Sequence, residues 1–520
     1  MAPEFDLVVV GAGAAGLLAA VAARRLGQSV LVVESDSLAG GSTPLTDGRL
    51  WLPGNPMAAK AGGQDSVEDA EEYLAALLGD PTPASSPERR AAFATTAGRV
   101  ARWLTSSKIP LNPVRGVADH HLELPGAKAQ GRVLQTQSMD RKALGDWEPS
   151  LRPGPAAAGG ALGRFLPKRR IAATTGEALV GQLLLRATAN GVELWLDAPL
   201  VDLVSADDRI CGVVVHRDGA DVSVTAGMVL LASGGFERNQ ELREEYLPLP
   251  TEATWSTSVA TNTGGPLMLA VAKGAATADL DTAWWQPVMV VDGVAHRIDG
   301  AREKPHSIIV DSVGDRFFDE CTIDDAVGPS VYDRGFGVRA VPSFLVMDNR
   351  HRQHVALGPW PANNTPRKAI EAEEIVRAST LNDLAQALGI DRAGLLGTVV
   401  RFNGFAAKGK DLDFGRGESA VTREGGKRRN PSLGKVDKQP FWAVKVYPGD
   451  AGTKGGLLID ADSRVLREDA TVIPGLYACG GTAASIFKRT SPAPGAALGE
   501  ALVQAFLAVT DQLPERRREL

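Results

Sequence analysis

Gly11-Ala12-Gly13-Ala14-Ala15-Gly16 carries three glycines at the spacing that lets a backbone wrap a diphosphate. Gly11 permits a tight turn and Gly13 lets the backbone approach a pyrophosphate. Gly16 lets the following helix pack against the strand before it. Glu34 then offers a carboxylate to a ribose diol, and favours a free ribose over a 2′-phosphate. The elements that must hold these groups flank them. Phe5-Asp6-Leu7-Val8-Val9-Val10 reads as a buried strand, the Ala/Leu-rich stretch through Arg25 as a helix, and Leu31-Val32-Val33-Glu34 as a second strand. The result is a βαβ dinucleotide site. Its helix N-terminus, with roughly +0.5 charge and free N–H groups, receives the diphosphate.

The next loop narrows the cofactor. Gly40 and Gly41 allow close approach to a planar ring or its phosphates, and the hydroxyls of Ser42 and Thr43 can contact phosphate or flavin. This Gly-Gly-Ser-Thr run follows the ribose acid where many two-domain flavoproteins have a flavin-contacting loop, so the fingerprint reads as FAD rather than NAD. An apolar strand ending in Ala232-Ser233-Gly234-Gly235 supplies a second turn for the adenine–ribose end. Near the C-terminus, Val472 to Cys479 runs as a strand into Gly480-Gly481. Ser491-Pro492-Ala493-Pro494-Gly495 then starts a helix through Val509. A helix beginning on Pro-Gly presents bare N–H groups, which would stabilise negative charge at the N1–C2=O edge of a reduced flavin. Asp119-His120-His121 is a weak metal signal, because neighbours in a strand point to opposite sides.

A chain of 520 residues folds as two domains or one elaborated one. Its 44% hydrophobic and 23% charged content fits an ordinary globular protein. The net charge of −6 provides no basic footprint for nucleic acid or an anionic membrane. Cys211, Cys321 and Cys479 stand far apart, which argues against iron–sulfur, zinc or disulfide frameworks and fits a cytoplasmic location. No membrane-spanning run is expected. The apolar stretch 7–23 is preceded by Glu4 and Asp6 rather than a basic segment, so it does not read as a signal peptide.

Along the chain, residues 64–107 read as helical with a break from Pro81 to Pro87, and 154–163 as a Pro/Gly/Ala loop. Thr175-Gly176 opens a helix through Ala189. Val192–Leu196, Pro199–Val204 and Ile210–Val215 read as an antiparallel meander. Asp315 to Glu320 reads as a charged surface turn, Gly409 to Gly417 as a structured loop or a lid, and 515–519 as a solvated tail. The expected class is α/β, a Rossmann-type FAD-binding domain with an inserted α+β capping domain. Residues 1–278 form its first part, 279–440 the insert and 441–520 its second part.

Taken together, these segments resemble the FAD-dependent 3-ketosteroid Δ1-dehydrogenases, within the wider group of fumarate reductase and succinate dehydrogenase flavoproteins. The resemblance runs nearly end to end. It is carried by Gly11 to Gly54, Leu124 to Asp146, Phe402 to Gly417, Pro448-Gly449-Asp450-Ala451-Gly452-Thr453-Lys454-Gly455-Gly456 and Pro492-Ala493-Pro494-Gly495-Ala496. It implies α,β-desaturation of a cyclic ketone by a base, a carbonyl clamp and hydride transfer to flavin N5. The partners implied are a small-molecule substrate and an electron acceptor that the sequence leaves unnamed. Ser42 stands where the succinate dehydrogenases carry a flavin-linked histidine, so FAD is expected to be non-covalent. The implied cofactor set adds Ser35, Asp47, Gly48, Val201, Asn239, Ala497 and Leu498 to the residues above.

The family places a tyrosine and a glycine N–H at the carbonyl, a tyrosine base, and a supporting tyrosine. Here the clamp glycine is Gly495, and Ser491 stands for its tyrosine. Asp324 falls at the base, with Tyr332 the nearest tyrosine beyond, and His120 and His121 take the supporting place. A serine reaches less far and leaves space for a bulkier or more polar substrate. The alternatives are a fumarate- or enoate-type reductase, with Lys488-Arg489 nearby as cations, and a non-catalytic FAD-binding protein.

Overall fold

The computed structural model describes residues 3–155, 172–418 and 430–511. From position 156 onward the expected Pro/Gly/Ala loop lies outside the described residues, as does the 515–519 tail. The first body is an eight-stranded sheet. Its path runs Arg464–Leu466, Val472–Ala478, Ala220–Leu231, Glu4–Val10, Val30–Val33 and Glu193–Trp195. The opening strand is apolar at every position from Leu7 because both of its faces are covered. Leu7 and Val9 enter one core cluster, and Val8 and Val10 the other.

Register places the binding edge. Val10 lies beside both Leu231 and Val33, and Leu231 beside Ala478. The parallel strands therefore end level with one another. The residues that follow them, Gly11, Glu34, Ala232 and Cys479, crowd the crevice beyond the strand ends, where open α/β sheets hold ligands. The opening helix, Ala14–Arg25, packs against the closing helix, Ala496–Asp511.

The expected meander changes here. Val192–Leu196 is not part of the meander: Glu193–Trp195 pairs parallel with Val30–Val33 at the sheet edge. It follows the helix Thr175–Ala189, and a helical crossover returns the chain parallel to its starting strand. The meander is instead Leu200–Ala206, Arg209–Arg217 and the first half of Ala220–Leu231, whose second half runs parallel to the opening strand. The helices Val67–Leu78 and Pro87–Ser106 fall where expected, each capped by a serine, Ser66 and Ser86.

The second body is a six-stranded sheet ordered Val294–Arg297, Ala283–Val291, Phe441–Thr453, Ser343–Met347 and Ser307–Val310, with Val376–Ala378 also on the middle strand. Phe441–Thr453 therefore sits inside this sheet, although the sequence reading assigned it to the returning segment. The helix Asp324–Gly335 lies on Ala283–Val291 so closely that a Cβ at Gly328 would meet the Trp285 ring at 2.6 Å.

The charged run at 315–320 is not a surface turn. Arg316 is buried between Glu320, at 2.6 Å, and Asp411, at 2.9 Å. Arg416 donates to the carbonyls of Arg302, at 2.9 Å, and Lys304, at 2.8 Å. Buried charges persist only when paired in this way. The pairing pins the 409–417 loop to the sheet, and none of its residues reaches the cavity described below. Among the described residues, no helix is long and apolar enough to cross a membrane.

Candidate active site

A cavity of about 1080 Å³ runs from the crevice at the strand ends into the second body. Pockets for one small molecule occupy roughly 300–1,000 Å³, so this one has room for a dinucleotide and a second molecule. Gly11, Gly13, Ala14 and Ala15 line one end, with Glu34 and Ser35 beside them. Gly41, Ser42, Thr43, Asp47 and Gly48 line the next stretch. Ala232, Ser233 and Gly234 face Gly480 and Gly481, and Ala496, Ala497 and Leu498 begin the closing helix along the same wall.

The cradle fits the cofactor expected from sequence. A Cβ at Gly13 would meet no protein atom nearer than 3.9 Å, so the space above it is left for a ligand. Gly11 has a φ of +111°, and a Cβ there would come within 2.4 Å of the Ala232 carbonyl. The Glu34 carboxyl accepts from the Ala12 N–H at 2.8 Å and the Asp36 N–H at 3.1 Å. Burial pushes this carboxyl up, and those donors limit the rise. The Ser42 Oγ accepts from the Val259 N–H at 3.2 Å and the Asn262 amide at 3.3 Å, which ties the loop down and leaves its own proton to donate. The N–H groups of Gly495, Ala497 and Leu498 find no acceptor among the described residues. Diphosphate, ribose and an electron-rich ring edge each meet a suited partner here, so the residues present fit FAD.

Four residues of the expected cofactor set do not line the cavity. Gly16 serves packing, since a Cβ there would lie 2.0 Å from the Gly11 carbonyl. Gly40, with a φ of +131°, turns the chain under Pro44. Val201 points outward on its strand, and its neighbour Leu200 lines the wall instead. Asn239 caps the helix Gln240–Tyr246 by accepting from the Leu242 N–H.

The far end is built where the two bodies meet. Ser491 and Gly495 line it. The Ser491 hydroxyl makes only a 3.4 Å contact to the Ala493 carbonyl, so it is free to turn. A Cβ on Gly495, at a φ of +92°, would strike the Arg49 backbone at 2.6 Å, so only glycine fits this turn. His120 also lines the wall, and its Nδ1 lies 3.1 Å from the Ser491 carbonyl. Burial pushes the His120 imidazole down to about 4, so it is neutral at pH 7. His121 turns away, towards Glu123 at 3.4 Å, because the chain here is a turn rather than a strand. Tyr332 also misses the cavity. Its ring packs on Trp285, its hydroxyl donates to the Pro250 carbonyl at 3.2 Å, and burial raises its pKa above the usual phenol.

Asp324 lines the cavity, but arginines hold both its oxygens. Oδ1 accepts from Arg302, and Oδ2 lies 3.5 Å from the Arg297 guanidinium. Sequence reasoning missed its neighbour. Asp325, 6% exposed, lines the same wall and accepts from Lys454 Nζ at 2.6 Å. Lys454 follows the last residue of the middle strand, Phe441–Thr453, and lies over the Trp284 ring at 4.3 Å. The available signal was a lone lysine in a glycine-rich stretch between apolar strands. Lys488 and Arg489 stay outside, tied to the Leu78 and Asp80 carbonyls and to Asp281.

Comparison with known proteins agrees with this geometry. The family described as FAD binding domain matches residues 6–498. A 3-oxosteroid 1-dehydrogenase of Mycolicibacterium smegmatis is 33% identical over 98% of this chain and 97% of its own length. A 4-oxocyclohexanecarboxylate 2-dehydrogenase of Sinomonas cyclohexanicum is 31% identical over 97% and 92%. The crystal structure of the 3-ketosteroid delta1-dehydrogenase from Sterolibacterium denitrificans in complex with 1,4-androstadiene-3,17-dione superposes with a TM-score of 0.92, at 32% identity over 98% of this chain and 99% of that one. The chain belongs to the FAD binding domain family, on its 3-oxosteroid 1-dehydrogenase branch, and is an FAD-dependent dehydrogenase acting on CH–CH groups.

Proposed function

We propose that the protein introduces a double bond between the carbons α and β to the carbonyl of a cyclic ketone. The observation that supports this most is the meeting of Ser491 and the free N–H of Gly495 in the cavity that begins at Gly13 and Glu34. The serine hydroxyl and the glycine N–H both donate to the ketone oxygen, and hold it more tightly as charge develops there. A carboxylate of the Asp324-Asp325 pair takes the proton from the α-carbon. FAD, when bound, supplies the acceptor for the hydride from the β-carbon, at its N5. Ser42 offers no imidazole for a covalent link, so the flavin is released on denaturation.

The cavity lining also carries Arg297, Asp299, Arg302, Lys304 and Asp324. Arg49 adds a guanidinium without a partner among the described residues. This lining favours a ketone with polar substituents over a wholly apolar one.

The test is anaerobic mixing of the yellow enzyme with 4-androstene-3,17-dione, 4-oxocyclohexanecarboxylate and cyclohexanone, reading the flavin band. At least one ketone is expected to bleach it. Ser491→Ala should slow that bleaching by roughly 10²–10³-fold at unchanged flavin content. Enzyme that no ketone bleaches, but that fumarate reoxidises once reduced, would be a reductase of the fumarate type instead.

A further inference from the structure

We infer that Asp325, rather than Asp324, is the catalytic residue that takes the α-proton of the ketone. The inference rests on the desaturation proposed above and names its base. Both aspartates open the helix Asp324–Gly335. Successive helical residues diverge by about 100°, so the two carboxyls face different neighbours. Asp324 turns to Arg302 and Arg297. Arg302 is itself held by the Glu320 and Thr322 carbonyls, so Asp324 belongs to a fixed ionic network.

Asp325 turns the other way. Its Oδ2 accepts from Lys454 Nζ at 2.6 Å, while Oδ1 is shielded from solvent and the Trp285 N–H lies against the carboxyl. Lys454 Nζ also donates to the Thr490 carbonyl at 2.9 Å. One ammonium thus bridges the Asp325 carboxylate to the residue before Ser491. A ketone whose oxygen is held by Ser491 and Gly495 lies in the same cavity that Asp325 lines.

Burial raises the Asp325 carboxyl, and the Lys454 ammonium opposes that rise, as does the nearby Trp285 N–H. A base held nearer neutrality is better matched to a weakly acidic α-C–H than a surface carboxylate. In the step, the α-C–H bond breaks and an O–H bond forms on the Asp325 carboxyl. The electron pair becomes the enolate double bond, and the negative charge collects on the oxygen faced by Ser491 and Gly495.

The proton step can be read without oxidation. Holoenzyme with its flavin reduced by dithionite is incubated anaerobically with the three ketones in D2O, and α-deuterium uptake is followed by mass spectrometry. Wild type is expected to exchange the ketone that bleaches the oxidised flavin. Asp325→Asn should lose this exchange by roughly 10²–10⁴-fold while keeping its flavin absorbance, and Asp325→Glu should restore part of it. Asp324→Asn should fall no more than about tenfold.

Exchange that survives in Asp325→Asn, or that is lost in Asp324→Asn instead, overturns the inference. Wild type that bleaches with a ketone but exchanges no deuterium overturns it too. Wild type that neither bleaches nor exchanges overturns the desaturation reading itself. Should Asp325→Asn lose flavin and fold, Asp325→Glu carries the comparison. Measurable exchange by Asp325→Glu, even if below wild type, supports the base, and none at full flavin content overturns it.

Discussion

Gly13 is the position at which the fold tolerates a side chain and the cofactor does not. A Cβ there meets nothing closer than 3.9 Å, whereas one at Gly16 would lie 2.0 Å from the Gly11 carbonyl. Gly13→Glu is therefore expected to fold with a melting temperature close to wild type yet purify colourless. Its carboxylate would occupy the phosphate space at the helix N-terminus. Absorbance near 450 nm against a thermal melt checks both halves, and a yellow variant would remove this turn from the site. The glycine fingerprint was legible because its cause is local: backbone conformation and approach are set by the residue itself. The Asp325–Lys454 contact was not, because its partners stand 129 residues apart and neither carries a local signature. The two histidines show the same limit. Adjacent in sequence, His120 enters the cavity wall and His121 leaves it, and only the path of the turn decides which.

Among the elements, the helix Gln240–Tyr246 and the middle strand of the second sheet are joined by a fully buried ion pair. Arg243 Nη1 donates to Asp450 Oδ2 at 2.6 Å and to the Glu237 carbonyl at 2.9 Å, and Nε donates to Thr251 at 3.0 Å. Removing one member of such a pair leaves an uncompensated charge, at a cost of about 3–5 kcal/mol. Arg243→Met should lower the urea midpoint accordingly, and adding Asp450→Leu should recover much of the loss. A double variant no more stable than the single one would show that the pair is not the cause. This junction was hidden in the sequence for the same reason that Phe441–Thr453 was placed in the wrong sheet. Alternating apolar residues announce a strand, but strand pairing is a property of two segments. Glu193–Trp195 is the parallel case: its identity as a strand was readable, its neighbour was not.

Across the whole molecule, buried imidazoles set a limit on the acid side. Burial holds His120 and His351 down to about 4 each, well below the ordinary value near 6.5. Between those values the unfolded chain binds more protons than the folded one, so stability falls as pH drops from about 6.5 to 4 and is fully present above that window. Melting temperatures should decline across it. His351→Gln, which keeps a donor for the Ala301 carbonyl, should flatten the decline. An unchanged slope would acquit this histidine.

The order in which the sheets are completed has a further consequence. The first sheet needs Val472–Ala478 beside Ala220–Leu231, and the second needs Phe441–Thr453 at its middle. Each of these strands is synthesised after every strand it pairs with. Until then each ladder stands open at the edges that the late strand will cover, the second sheet until Phe441–Thr453 and the first until Val472–Ala478. The second sheet is therefore complete while the first still lacks its partner for Ala220–Leu231.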